Sequence, residues 1–103
     1  MSTNFGYVRV AAAVPHMRVA DCQYNAKEIK VQITEAIQEG VQVVCFPELS
    51  ITGYTCADLF FTQQLQRDAL EALKDICLYT REKAIIILVG APLKVDNNLY
   101  NCA

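Results

Sequence analysis

The strongest constraint on the fold is an alternation of two hydrophobic periods along one short chain. Tyr7 to Val14 reads Y-V-R-V-A-A-A-V, with Val8, Val10, Ala12 and Val14 on one face at period two. Val41-Gln42-Val43-Val44-Cys45-Phe46 is a short β-branched run stopped by Pro47, and Ala84 to Val89 is an unbroken apolar run stopped by Gly90. Each reads as a strand. Between them lie two segments with a 3.6-residue period. The order strand, helix, strand, helix, strand implies a parallel or mixed sheet with right-handed crossovers. Asp96-Asn97-Asn98 is a turn signal, and Leu99 to Ala103 begins a further extended segment.

The helices carry their own boundary signals. Asn25 reads as the N-cap of the first, with Glu28 three residues on as a capping box requires. Ile29, Ile33, Ala36 and Ile37 form its apolar stripe, and Lys27, Lys30, Gln32, Glu35 and Gln38 cover the other side. Gly40 stands where a helix C-cap is expected. Thr62 caps the second helix, whose inner face is read as Leu65, Ala69, Leu73, Ile76 and Cys77. From Glu48 to Phe61 no clean period exists, and a loop is expected.

At 103 residues there is room for one domain at most. A folded monomer of this size exposes roughly 5,800 Å² of the roughly 16,700 Å² its extended chain would show. Apolar residues make up 53% and charged residues 19%. That excess argues against disorder and implies that some apolar surface packs on something further. Nine Lys and Arg against eleven Asp and Glu give a net charge of −2, with no basic run, so nucleic acid is not an expected partner. Neither a secretory leader nor a membrane span is legible. Five cysteines at wide spacings, with no C-x-x-C, read as small buried hydrophobes in a reducing cytoplasm. The chain stops inside an apolar strand, so Ala103 is expected to mark a cut rather than a natural terminus.

Glu48 is the residue most suited to chemistry. It follows a strand and Pro47, at the carboxyl end where ligand sites of α/β sheets lie. Pro47 fixes its own φ and restricts Phe46, giving the carboxylate a rigid mount beside apolar neighbours. Burial there would favour the protonated form and make it a usable proton shuttle. A solvated strand-end Glu is the plainer alternative.

The string Phe46-Pro47-Glu48-Leu49-Ser50-Ile51-Thr52-Gly53-Tyr54 resembles the F-P-E-L-x-x-x-G-Y signature of the nitrilase, or carbon–nitrogen hydrolase, superfamily. Val10 to Val14 followed by Asn25, then Gly90-Ala91-Pro92 and Leu99-Tyr100-Asn101-Cys102-Ala103, are similar to further stretches of that family. Ala57-Asp58-Leu59-Phe60 after Gly53-Tyr54 resembles the branch of glutamine-dependent NAD synthetases. The fold this resemblance implies is the N-terminal half of an αββα sandwich, ordered strand-helix-strand-helix-strand-strand. Residues 1–103 would then be part of a glutaminase domain, inactive alone. Ammonia released from glutamine would pass to a synthetase domain that amidates deamido-NAD with ATP and magnesium.

The family's catalytic set is a Glu, a Lys and a Cys. The resemblance carries only the Glu, onto Glu48, as general base and acid. The Lys and the nucleophilic Cys are expected beyond Ala103. Lys94 reads as a solvated turn residue. Cys45 reads as buried in its strand, Cys56 as a more exposed loop residue, and Cys102 as a small buried position. Tyr54 is a candidate for closing the glutamine pocket. Asp58 is read as fixing the loop, and His16 as a loop histidine. No cofactor is expected within this chain. Expected partners are glutamine, the rest of the same domain, the synthetase domain and further copies of the chain. Other family amidases, such as an ω-amidase or carbamoylase, and a non-catalytic interaction module are the alternative readings.

Overall fold

The computed structural model describes residues 5–103. The expected alternation of strands and helices is present, with a 3-10 helix in the expected loop and one further strand: β1 (Val10–Ala12), α1 (Cys22–Gln38), β2 (Val43–Cys45), a 3-10 helix (Ala57–Phe61), α2 (Gln63–Thr80), β3 (Ile86–Leu88), β4 (Ala91–Val95) and β5 (Asn98–Cys102). β1, β2 and β3 form a parallel sheet in chain order, in the register Val10–Val43–Ile86, Ala11–Val44–Ile87 and Ala12–Cys45–Leu88. Two right-handed crossovers that step the same way along a sheet put both helices on one face. α1 and α2 accordingly pack against each other, with Lys30 Nζ 2.6 Å from Asp75 Oδ2 and a Thr34–Tyr79 hydroxyl contact across the seam.

The strands alternate as a half-covered sheet must. Val44 is fully buried beneath the helices. The opposite face is open, with Val10 66%, Ile86 61% and Leu88 44% exposed. Part of the apolar excess of the sequence therefore lies on one uncovered sheet face. The total accessible surface is 6987 Å², well above the roughly 5,800 Å² of a closed monomer of this mass.

The buried stripe of α1 is Cys22, Ala26, Ile29, Ile33 and Ala36, and that of α2 is Leu65, Ala69, Ala72 and Ile76. Two stripe positions read from the sequence shift. Ile37 is 37% exposed, and Cys77 is exposed while Ala72 takes the inner place. Both errors come from extending an apolar run past the 100° arc that a helix can bury. Thr62 caps α2 as expected, its hydroxyl accepting from Leu65 N at 3.3 Å.

The start of α1 differs from the capping-box reading. Asp21 is the N-cap, its carboxylate accepting from Tyr24 N at 3.1 Å, and Asn25 lies inside the helix. An Asp three residues before a helical amide serves as cap without any reciprocal Glu. The C-terminus behaves as read. Gly40 adopts φ +74°, and Gly40 N and Val41 N donate to Ile37 O and Ala36 O at 3.0 and 2.9 Å. That is a Schellman closure, which a left-handed glycine permits.

The segment past Gly90 holds one strand more than expected. Ala91–Val95 pairs antiparallel with Asn98–Cys102, joined by Asp96 and Asn97 at φ +49° and +67°. Two consecutive positive φ values define the type I′ hairpin that matches strand twist. Pro92 disguised β4 in the sequence, yet a proline is tolerated on an edge strand.

Candidate active site

Glu48 stands directly beyond β2, in a turn from Pro47 to Ser50. The turn is held to the end of β3 from several directions. Phe46 N donates to Leu88 O at 2.8 Å, Ile51 N to Gly90 O at 3.1 Å, and Gly90 N to Ser50 Oγ at 3.3 Å. Leu49 adopts φ +52°, a strained value for a γ-branched residue. At Gly90 the two segments meet so closely that a Cβ would fall 2.4 Å from Leu49 N and 2.9 Å from Pro47 O. Only a glycine permits this approach.

The loop behind Glu48 enters the core rather than crossing the surface. Ser50, Ile51 and Thr52 are fully buried, and Cys56 is 3% exposed. Buried loop backbone needs partners, and Asn25 supplies them. Its Oδ1 accepts from Arg18 N at 2.8 Å, while its Nδ2 donates to Arg18 O at 2.8 Å and Ile51 O at 2.9 Å. Asn25 is a staple tying two loops to α1. One signal could have revealed it: Asn25 shares the arc of Cys22, Ile29 and Ile33, so its amide had to be buried.

The Glu48 side chain is exposed, which corrects the expected burial among apolar neighbours. It lies past the end of β2, and among the described residues no helix residue lines its cleft. It lines an open cleft of about 250 Å³ with Cys45, Leu88, Gly90, Asn101 and Cys102. Asn101 Nδ2 donates to Glu48 Oε1 at 2.5 Å. Sequence reasoning assigned Asn101 no role, because the contact depends on how the hairpin folds back across 53 residues.

The other candidates are placed as follows. Tyr54 is 65% exposed and is not among the residues lining the Glu48 cleft. Asp58 lies exposed in the first turn of the 3-10 helix, with no hydrogen bond or ion pair among the described residues. His16 is exposed in the loop after β1. Lys94 is exposed on β4 and not in a turn. The two cysteine readings beside Glu48 are reversed. Cys45 is exposed on the open sheet face, and Cys56 is buried with its thiol donating to Thr52 O at 3.2 Å. Cys102 is half-buried and lines the cleft.

A wider cleft of about 460 Å³ lies between the helices, lined by Asp21, Cys22, Asp68, Glu71 and Asp75. Three of its four acids are engaged locally: Asp21 caps α1, Gln64 donates to Asp68 at 2.9 Å, and Asp75 pairs with Lys30. Burial, reinforced by the negative charge of Asp68, pushes the Cys22 thiol up to about 12. Cys22 is thus a protonated core residue and a poor nucleophile.

The Glu48 cleft therefore offers a fixed carboxylate with an amide donor, in open space. It can accept or return a proton. Among the described residues no Lys or Arg lines it, so these residues alone do not supply the cation that acyl transfer places beside a developing oxyanion.

The family model for carbon–nitrogen hydrolases matches residues 9–103. The chain belongs to the carbon–nitrogen hydrolase family. The glutamine-dependent NAD(+) synthetase of Mycobacterium leprae is 31% identical over 102 residues, covering 99% of this chain and 15% of that protein. The crystal structure of a glutamine-dependent NAD(+) synthetase from Cytophaga hutchinsonii superimposes with a TM-score of 0.85 at 34% identity, over 92% of this chain and 16% of that one. An amidase from Nesterenkonia sp. shares the fold, with a TM-score of 0.67 at 24% identity, over 82% of this chain and 32% of that one. The parallel sheet with helices on one face is the nitrilase-type α/β arrangement of these carbon–nitrogen hydrolases. The chain spans only a small part, 15%, of the curated relative it matches over 99% of its own length.

Proposed function

We propose that this carbon–nitrogen hydrolase chain is the first part of the glutaminase domain of a glutamine-dependent NAD synthetase. The observation that carries the reading is Glu48. It sits at the carboxyl end of the central parallel strand, on a backbone clamped by Gly90, in a cleft open on the side where further groups can enter. The similarity to glutamine-dependent NAD synthetases over nearly the whole chain supports the same reading.

In this proposal a Cys and a Lys from polypeptide beyond Ala103 join Glu48. The cysteine thiol gives its proton to Glu48 while sulfur attacks the amide carbon of glutamine. Glu48 passes that proton to the departing nitrogen, ammonia leaves, and a thioester remains. Water then attacks the thioester, Glu48 takes its proton and returns it to the sulfur, and glutamate is released. The lysine supplies positive charge to the oxyanion in both steps. A Glu exposed in the isolated chain suits this scheme, since the groups that would desolvate it belong to the other half of the site.

ATP and magnesium would serve the separate synthetase domain. Among the described residues no three His, Cys, Asp or Glu side chains converge as a metal site requires, and no step in this chain runs through either group. Among the described residues no helix is long and apolar enough to cross a membrane.

The test is ammonia release from glutamine by the purified 103-residue chain and by the gene product extended past Ala103. The extended product is expected to turn over and the short chain to release none. Turnover by the short chain, abolished by replacing Cys45 or Cys102, would place the nucleophile here and overturn the proposal.

A further inference from the structure

Among the described residues the Glu48 carboxylate has one hydrogen-bond donor, the amide of Asn101 at 2.5 Å. The contact joins parts of the chain 53 residues apart, so it exists only because of tertiary placement. Three features set that placement. The type I′ turn at Asp96-Asn97 fixes the register of the hairpin, opposing Asn101 to Pro92. Ala91 and Pro92 are buried and anchor β4 against the body of the chain. Leu99, which shares Asn101's face at period two, is half-buried with Leu49 and Phe60 in a small pocket of about 190 Å³ that also touches Asn101. The amide is thereby delivered to one oxygen of Glu48 from an ordered strand.

The chemistry of the donor fits the task. A proton shuttle must hold a proton in one half of the cycle and lack it in the other. An Arg or Lys partner would bias the carboxyl toward the ionised state. A neutral amide orients the group with less bias, and its own oxygen can accept from a protonated carboxyl.

We propose that Asn101 is a positioning residue for Glu48. Its amide holds Oε1 and leaves Oε2 as the oxygen that exchanges protons with the incoming thiol and the departing ammonia. This rests on the reading of Glu48 given above.

The experiment is steady-state kinetics of the extended gene product carrying Asn101→Ala, Asn101→Asp or Asn101→Gln, with Glu48→Gln as reference. Both glutamine and ammonia serve as nitrogen donors. Asn101→Ala is expected to lower glutamine-dependent kcat roughly 10- to 100-fold, the worth of a hydrogen bond to a charged group, with KM for glutamine within about twofold. Asn101→Asp keeps the volume but sets like charges together, and is expected to lose at least as much. Asn101→Gln retains the amide and is expected to recover part of the rate. Ammonia-dependent synthesis stays unchanged throughout.

If Asn101→Ala and Asn101→Asp run at the parental rate while Glu48→Gln is inactive, Asn101 has no positioning role, and the reading of Glu48 survives. If Glu48→Gln is also active, that reading fails and this one with it. If the Asn101 variants lower both nitrogen-donor activities and the melting temperature together, Asn101 is merely structural and the proposal is overturned.

Discussion

Cys22 and the Glu48 carboxylate sit at opposite extremes of solvation, and each carries a prediction. The Cys22 thiol, 2% exposed, is pushed from 9.0 to about 12. Above pH 9 the unfolded chain loses this proton while the folded chain keeps it, so folding stability falls as pH rises. The contribution is intact below about pH 9 and is lost progressively toward pH 12. Cys22→Ala should flatten that alkaline slope in urea melts at stepped pH, and an unchanged slope would reject the assignment. Exposure also sorts the thiols. Cys45 and Cys77 should react promptly with a thiol reagent in the native state, and Cys22 and Cys56 only after unfolding. The sequence carried Glu48 and its strand-end position, because Pro47 and the β-branched run before it are local signals. It did not carry the solvation of Glu48 or of the cysteines. Those depend on which sheet face the helices cover, and a strand's alternation names two faces without saying which is inside.

Among the elements, the loop from Glu48 to Cys56 and the strand ends that hold it matter most. Asn25→Ala would remove three hydrogen bonds and leave the Ile51 carbonyl without its donor in a buried site. A loss of about 2–4 kcal/mol in unfolding free energy is expected from denaturant titration. Asn25→Asp keeps the acceptor for Arg18 N but loses both donations, and should also destabilise. Gly90→Ala would drive a methyl into Leu49 N and the Pro47 carbonyl, at a cost of roughly 1–3 kcal/mol. It should also displace Glu48, lowering glutamine-dependent turnover more than its effect on stability would suggest. The helix stripes, the Thr62 cap, the Gly40 closure and the Asp96-Asn97 turn were legible because each is set within a few residues. Asn25 was misread as a cap for the same reason: a local rule was satisfied by a residue whose partners lie in two other segments.

For the molecule as a whole, the decisive feature is the open sheet face. Val10, Val43 and Ile86 form one cross-strand row and Ala12, Cys45 and Leu88 the next, and no charge lies among them. The radius of gyration, 14.4 Å, exceeds the roughly 13 Å of a closed domain of this length. Such a face does not remain in water at high concentration. The isolated chain should self-associate in light scattering, and Ile86→Lys should reduce the association without lowering the melting temperature, because Ile86 is 61% exposed. Equal association by the variant would show that another surface is responsible. The apolar excess of the composition implies an uncovered face of this kind but not its location, which is set by the side of the sheet that the two helices take. The most direct measurement of the central claim is glutamine-dependent against ammonia-dependent NAD synthesis by the extended gene product carrying Glu48→Gln. Loss of the glutamine-dependent rate by about 100-fold or more, the usual worth of a proton shuttle, with the ammonia-dependent rate intact, is the expected result. Parental rates with both nitrogen donors would contradict the assignment of Glu48.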